Sequence, residues 1–81
     1  MRWQHSDRSK KDYETLEKSI QKAFDKQARL LADNLLHPSL RAKKYDESRD
    51  IWQARVNRDW RFYFTINDDT YVIARILPHP K

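Results

Sequence analysis

The chain has 81 residues, no cysteine and no glycine, and its 17 Lys and Arg outweigh 12 Asp and Glu for a net charge of +5. A chain this short is one domain, residues 1–81, which buries roughly 60–65% of its unfolded surface and is modestly stable. Lack of glycine excludes a Gly-rich phosphate cradle, and with it P-loop and dinucleotide folds; lack of cysteine excludes disulfides and thiolate chemistry and fits a reducing, cytoplasmic setting. Turns are left to Asn, Asp, Ser and Pro. MRWQHSDRSKK has no apolar stretch of signal-peptide type, and no apolar run is long enough for a membrane span, so neither is expected. A hydrophobic content of 38%, with three Trp, four Tyr and three Phe, argues for a folded chain despite 36% charged residues. Excess positive charge suits nucleic acid or an acidic protein partner, although many small domains carry it for solubility alone.

Residues 1–6 read ambiguously; Trp3 and His5 allow a short edge strand, with His5 as terminal decoration. From Ser9 the pattern is helical. Ser9 is a plausible N-cap, with Asp12 three residues on in a capping-box position. Tyr13, Leu16 and Ile20 step by three and four, and Ile20, Phe24, Ala28, Leu31 and Leu35 continue the stripe, widened by Leu30. Lys, Asp, Glu and Gln fill the other face. A break near Glu17–Ser19, with Ser19 capping a second helix, gives a helical hairpin; one helix from about 10 to 35 is the alternative, because neither Gly nor Pro interrupts it. Asn34 and His37-Pro38-Ser39 end the helical region, since the residue before Pro leaves the helical basin. Leu40 to Asp50 is a charge-rich linker, in part extended over Leu40–Tyr45.

Three strands follow. In Ile51–Val56, Trp52, Ala54 and Val56 share a face opposite Gln53 and Arg55. In Trp60–Ile66, Trp60, Phe62, Phe64 and Ile66 oppose Arg61, Tyr63 and Thr65. Asn57-Arg58-Asp59 and Asn67-Asp68-Asp69 are the turns. Thr70–Leu77 is apolar on both sides except at Arg75, which marks a central strand. Whether Arg75 shares the Arg61 face depends on turn length, because a one-residue slip reverses every side chain. Pro78 and Pro80 bracket His79. The fold class is α+β: an N-terminal helical hairpin on a small, mainly antiparallel sheet of three to four strands.

Arg61 points outward between two aromatics, either as an ordinary surface residue or for a phosphate. Arg55 on the neighbouring strand faces the same way. Two strands about 4.8 Å apart bring two guanidiniums to one anion, and like charges side by side are destabilising unless an anion joins them. His79 offers an imidazole near neutral pH beyond the last strand, where a solvated His is the plain alternative. Tyr63 can stack a base or cover its neighbours. Lys43 and Lys44 are either phosphate contacts or a solvated charge run. His37, at the helix stop, reads as structural. The three histidines lack ligand-like spacing, so neither a metal nor another cofactor is expected.

The order of a helix pair, HPSLRAKK, DIWQARVNRDWRFYF and TYVIARILPH resembles the RelE/ParE superfamily of bacterial toxin–antitoxin toxins, in particular RelE-type mRNA interferases, over nearly the whole chain from Ser9. The resemblance implies a RelE-like fold and metal-free RNA cleavage by 2′-hydroxyl attack, assisted by the ribosomal A site that holds the mRNA. It places Arg61 at the scissile phosphate, Arg55 at a basic position of the preceding strand, and His79 where the family puts a catalytic Arg or His. Lys43 and Lys44 fall in its basic approach segment; Tyr63 and Arg75 are the further RNA-binding candidates, with the face of Arg75 left open. A cognate antitoxin is implied, expected on the apolar helix stripe or a sheet edge. Two departures stand out: Gln53 occupies a position that is basic in some members, and the C-terminal Tyr of several members has no counterpart before Lys81. Two other readings stay open, a ParE-like toxin that inhibits DNA gyrase and an attenuated, non-catalytic RNA- or partner-binding module.

Overall fold

The computed structural model describes residues 1–80. Strand β1 (Arg2–His5) leads into helices α1 (Asp7–Thr15) and α2 (Lys18–Asp33). A 3-10 turn at Pro38–Leu40 precedes β2 (Lys43–Asp46), β3 (Ile51–Arg55), β4 (Trp60–Asn67) and β5 (Thr70–Pro78). The strands form one sheet in the order β1-β5-β4-β3-β2, with β1 parallel to β5 and the remaining neighbours antiparallel. This is the expected α+β arrangement, corrected from three or four strands to five. The added strand is β2 at one edge, which falls in the stretch read only as partly extended over Leu40–Tyr45, and its Lys-Lys-Tyr-Asp sequence carries no apolar alternation.

The hairpin break falls at Leu16 and Glu17, both extended. Leu16 drops its side chain into the core while the corner is tied by Gln21, whose Nε2 donates to the Tyr13 carbonyl at 2.8 Å. The caps differ from the sequence reading. Ser6, not Ser9, caps α1, its Oγ accepting from the Ser9 amide at 3.2 Å. Glu17, not Ser19, is the cap position of α2 and makes no side-chain cap bond. Ser9 itself is fully buried, with its Oγ 2.7 Å from His5 Nδ1. His5 is therefore no terminal decoration: its ring stacks on Phe24 at 5.5 Å, and burial pushes its pKa below the ordinary histidine value.

The α2 stripe is consumed by the core. Phe24, Ala28 and Leu31 are fully buried, and the Phe24 ring also meets Trp3, Tyr13 and Phe62. That face is therefore filled by the protein's own packing and is not the exposed apolar stripe the sequence implied. Gln27, assigned by sequence to the polar face, is buried instead. Its Nε2 donates to the Ser39 carbonyl at 3.0 Å and to the Arg55 carbonyl at 2.8 Å, tying the helix, the 3-10 turn and β3 together.

Strand β5, expected at the centre of the sheet, lies one strand in from the edge and is sealed twice. Its first half pairs with β1; beyond β1, helix α1 takes over the open edge. Ser6 donates its amide to the Ile73 carbonyl and its hydroxyl to that of Ala74, while Asp12 Oδ2 accepts from the Ile76 amide at 3.0 Å. A bulge also settles the face of Arg75. Near the hairpin, Asn67 pairs with Thr70 and Phe64 with Ile73; continued unbroken, that register would set Arg75 opposite Phe62, on the core side. The extra residue, Ala74, moves Arg75 opposite Tyr63 and onto the Arg61 face.

Candidate active site

The site grows from the β3–β4 hairpin. The Val56 amide donates to the Trp60 carbonyl at 3.0 Å, which makes those two a hydrogen-bonded position. The next pair, Arg55 opposite Arg61, is therefore non-hydrogen-bonded, the class whose Cα atoms approach to roughly 4.5 Å and whose side chains lie closest. Two cations are thus fixed side by side by backbone pairing. Burial first, and then the Arg55 charge, push the Arg61 guanidinium below the ordinary arginine value.

Arg61 is aimed by its own turn. Asn57 Oδ1 accepts from the Asp59 and Trp60 amides at 2.9 Å each, folding the loop so that its carbonyls face the guanidinium. Arg61 Nη1 donates to the carbonyls of Asn57 at 2.7 Å, Trp60 at 3.0 Å and Arg58 at 3.3 Å. These dipoles hold the group without cancelling its charge, and among the described residues no carboxylate lies within ion-pair distance of Arg55 or Arg61.

His79 arrives from the other side. Its amide donates to the Asp59 carbonyl at 2.7 Å, one step beyond the Trp60–Pro78 pair, so the β4–β5 ladder fixes its backbone while its side chain stays exposed. Arg41, Lys43, Gln53, Arg55, Arg61 and His79 line one open hollow of about 230 Å³. No lining residue is acidic. The guanidiniums of neighbouring strands and the near-terminal imidazole therefore line the same hollow.

Arg41 was missed as a site residue, hidden inside the charge-rich linker. It enters from a left-handed conformation, φ 47°, at the end of the 3-10 turn. Asp50 and Asp68 also take positive φ, where Asp is at home, but for a long side chain the conformation costs about 1–2 kcal/mol. Such strain concentrates where a side chain must be aimed.

Other expected residues lie elsewhere. Lys43 and Lys44 part company: Lys43 pairs with Gln53 at the hollow, whereas Lys44 pairs with Trp52. The Lys44 ammonium lies 2.8 Å from Asp50, 3.7 Å from Glu47 and 5.3 Å from the centre of the Trp52 ring. Tyr63 lines an adjacent apolar hollow of about 190 Å³ with Tyr45, Ile51 and Leu77. Its ring is 4.9 Å from that of Tyr45, and burial pushes its pKa up. Arg75 borders the same hollow, but its guanidinium is taken by Asp12, with Nε 2.8 Å and Nη2 3.1 Å from the two carboxylate oxygens. His37 caps the 3-10 turn, its Nδ1 accepting from the Ser39 amide at 3.2 Å.

The arrangement suits a bound phosphodiester. Guanidinium offers planar paired donors to phosphate oxygens, and an imidazole at the rim can exchange a proton with an attacking or leaving oxygen.

Comparison with known proteins identifies the family and the fold. Residues 4–81 match the family described as ParE toxin of type II toxin-antitoxin system, parDE. Among solved structures, a YoeB/ParE toxin from Agrobacterium tumefaciens superposes with a TM-score of 0.82 at 13% identity, covering 99% of this chain and 100% of that one. The YoeB dimer from Staphylococcus aureus gives 0.80 at 19% identity, covering 99% and 98%. The toxin–antitoxin complex RelBE2 from Mycobacterium tuberculosis gives 0.79 at 21% identity, covering 96% of each chain. At these identities the likeness establishes the fold. No curated protein matches the chain.

Proposed function

The chain belongs to the ParE toxin family of type II toxin–antitoxin systems, and from that premise we propose that this toxin is a cytoplasmic, ribosome-associated mRNA endonuclease that needs no metal. One observation carries the reading: Arg55, Arg61 and His79 share one open hollow whose lining holds no acid. Two adjacent guanidiniums with no acid on the lining of their hollow are suited to a phosphate.

In the proposed reaction the ribose 2′-hydroxyl attacks the adjacent phosphorus while the bond from phosphorus to the 5′ oxygen breaks. The products are a 2′,3′-cyclic phosphate and a free 5′-hydroxyl. Arg61 and Arg55 bind the non-bridging oxygens and stabilise the charge that grows on them, an effect of about 3 kcal/mol per donor. His79 exchanges a proton with the attacking or leaving oxygen, worth roughly 10²–10⁴-fold. Lys43 and Arg41 hold the flanking backbone. Tyr63, next door, takes a base. With one imidazole and no carboxylate, the site draws its second proton-transfer group from the ribosomal A site, which also positions the mRNA.

The test is a translation extract programmed with one mRNA, its cleavage ends mapped, beside a gyrase supercoiling assay. The reading expects new mRNA ends bearing 5′-hydroxyls, unaffected by EDTA chelation beyond the ribosome's own magnesium need, and normal supercoiling. Intact mRNA with blocked supercoiling would instead establish the second reading, a gyrase inhibitor, which the family description as a ParE toxin favours.

A cognate antitoxin is proposed as partner. Solved relatives of the same fold include the YoeB–YefM complex from Staphylococcus aureus and the RelE–RelB complex from Pyrococcus horikoshii. With the α2 stripe buried, the open edges of β1 and β2 remain as docking edges for an acidic or amphipathic segment, complementary to the charge of +5.

A further inference from the structure

A second, larger hollow of about 430 Å³ lies between α2, the 3-10 turn and the end of β3. Ala23, Lys26, Gln27 and Pro38 contribute to its lining, and it shares Arg41 and Arg55 with the phosphate-sized hollow beside it. Ligand-sized cavities begin at roughly 300 Å³, so the 430 Å³ hollow can take a nucleoside where its 230 Å³ neighbour suits a phosphate group. Its wall is mixed. Ala23, Pro38 and Val56 offer apolar surface for a base, Gln27 and Ser39 are polar, and the charged lining residues, Lys26, Arg41 and Arg55, are all cationic.

The frame of this hollow is built rather than incidental. Gln27, 5% exposed, fastens the 3-10 turn to β3 through its two carbonyl bonds, which fixes the width of the gap. Arg41 stands between the two hollows on a backbone held in the left-handed region. Lys26 is exposed on α2 and makes no ion pair among the described residues. Two adjoining hollows with shared cations at the junction match the repeat of a single-stranded backbone, phosphate after nucleoside after phosphate.

We propose that this hollow is a subsite for the nucleotide flanking the scissile linkage, with Arg41 and Arg55 bridging the two positions and Lys26 binding the outer phosphate. The proposal rests on the ribonuclease reading and assigns its substrate a minimum length. Pro38 and Ala23 pack the flanking base without reading its edges, so the subsite adds affinity with little base preference.

The test is fluorescence anisotropy with labelled RNA oligonucleotides of two and four nucleotides, 2′-deoxy at the scissile position, against wild type, Lys26→Ala and Arg61→Ala. Extending the oligonucleotide tightens binding to wild type about 5- to 10-fold, the effect of one or two charge-assisted contacts. Lys26→Ala abolishes that gain and leaves dinucleotide binding within about twofold, since one exposed lysine contributes only long-range screened charge to the neighbouring hollow. Arg61→Ala weakens both lengths. Dinucleotide binding that depends on Arg61, with no gain on extension or with Lys26→Ala weakening both lengths equally, overturns the subsite and leaves the ribonuclease reading standing. Failure of both lengths to bind wild type overturns the subsite and leaves the ribonuclease reading, in which the ribosome positions the mRNA, to the translation-extract test. An octa-glutamate peptide that binds more tightly than the tetranucleotide in a Lys26-dependent way overturns the subsite in favour of a protein partner.

Discussion

Arg61 and Arg75 stand on adjacent strands of one sheet, on the same face, and are used in opposite ways. Arg75 meets a carboxylate: Asp12 accepts two of its hydrogen bonds and the Ile76 amide as well, so the ion pair also closes the edge of β5 where β1 stops. Arg61 meets another arginine and three carbonyl dipoles. The first arrangement satisfies charge and backbone at once and stabilises the fold. The second sets like charges directly opposite each other, which is destabilising by a few tenths to about 1 kcal/mol. Residue type is identical; the counter-charge decides whether the side chain builds the molecule or waits for a ligand.

Four substitutions and conditions probe that division. The largest expected effect is on activity. Arg61→Ala lowers mRNA cleavage by roughly 10²–10³-fold, the loss of one positioned donor at developing charge, while urea unfolding stays close to wild type. A variant that cleaves at the wild-type rate removes Arg61 from the site. Next is Asp12→Ala, which strips acceptors from Arg75 and from the Ile76 amide and costs about 2–3 kcal/mol in urea unfolding. A loss below about 0.5 kcal/mol would mean that the α1 seal on β5 contributes little.

The pH dependence has a definite sign. Burial alone would raise the Asp12 pKa, but the hydrogen bonds from Arg75 and from the Ile76 amide, with the Arg75 charge, hold it below the ordinary aspartate value. A carboxyl depressed on folding stabilises fully above its unfolded pKa, about 4, and loses that contribution as pH falls through the folded value. The stability gap between wild type and Asp12→Asn is therefore flat from pH 7 to 5 and narrows below pH 4, measured by urea unfolding across that range. A gap that widens on acidification contradicts the assignment. The smallest effect is Arg55→Met, which removes one like charge and keeps its stem. It raises stability by about 0.5 kcal/mol at low salt, with the gain fading as salt screens the wild-type repulsion. Destabilisation by this change would mean that the Arg55–Arg61 pairing is not repulsive in the folded state.

Much of this was legible in the sequence because strands print their register in alternation. Arg55 and Arg61 were placed on one face from apolar pattern alone; the same pattern put β5 at the centre of the sheet, whereas it lies second from the edge, between β1 and β4. The Arg75 pairing was not, since it depends on the single bulge at Ala74 and on a carboxylate 63 positions earlier in the chain. Ser6 was passed over as the α1 cap because Ser9, three residues on, offers the same chemistry; only Ser9 burial against His5 separates them. Gln27 looked like polar surface because its burial depends on two distant carbonyls that meet it. Arg41 was lost in a charge run with no period, and β2, read there only as a partly extended Leu40–Tyr45, is made a strand by pairing across β3 rather than by local preference.

The most direct test of the account follows the Nε–H signals of ¹⁵N-labelled arginines by NMR while a 2′-deoxy-blocked RNA dinucleotide is titrated in. Arg55 and Arg61 shift and saturate together, and Arg75, locked to Asp12, stays in place. A shift at Arg75 with Arg55 and Arg61 unmoved would contradict the division of labour on which the proposed ribonuclease rests.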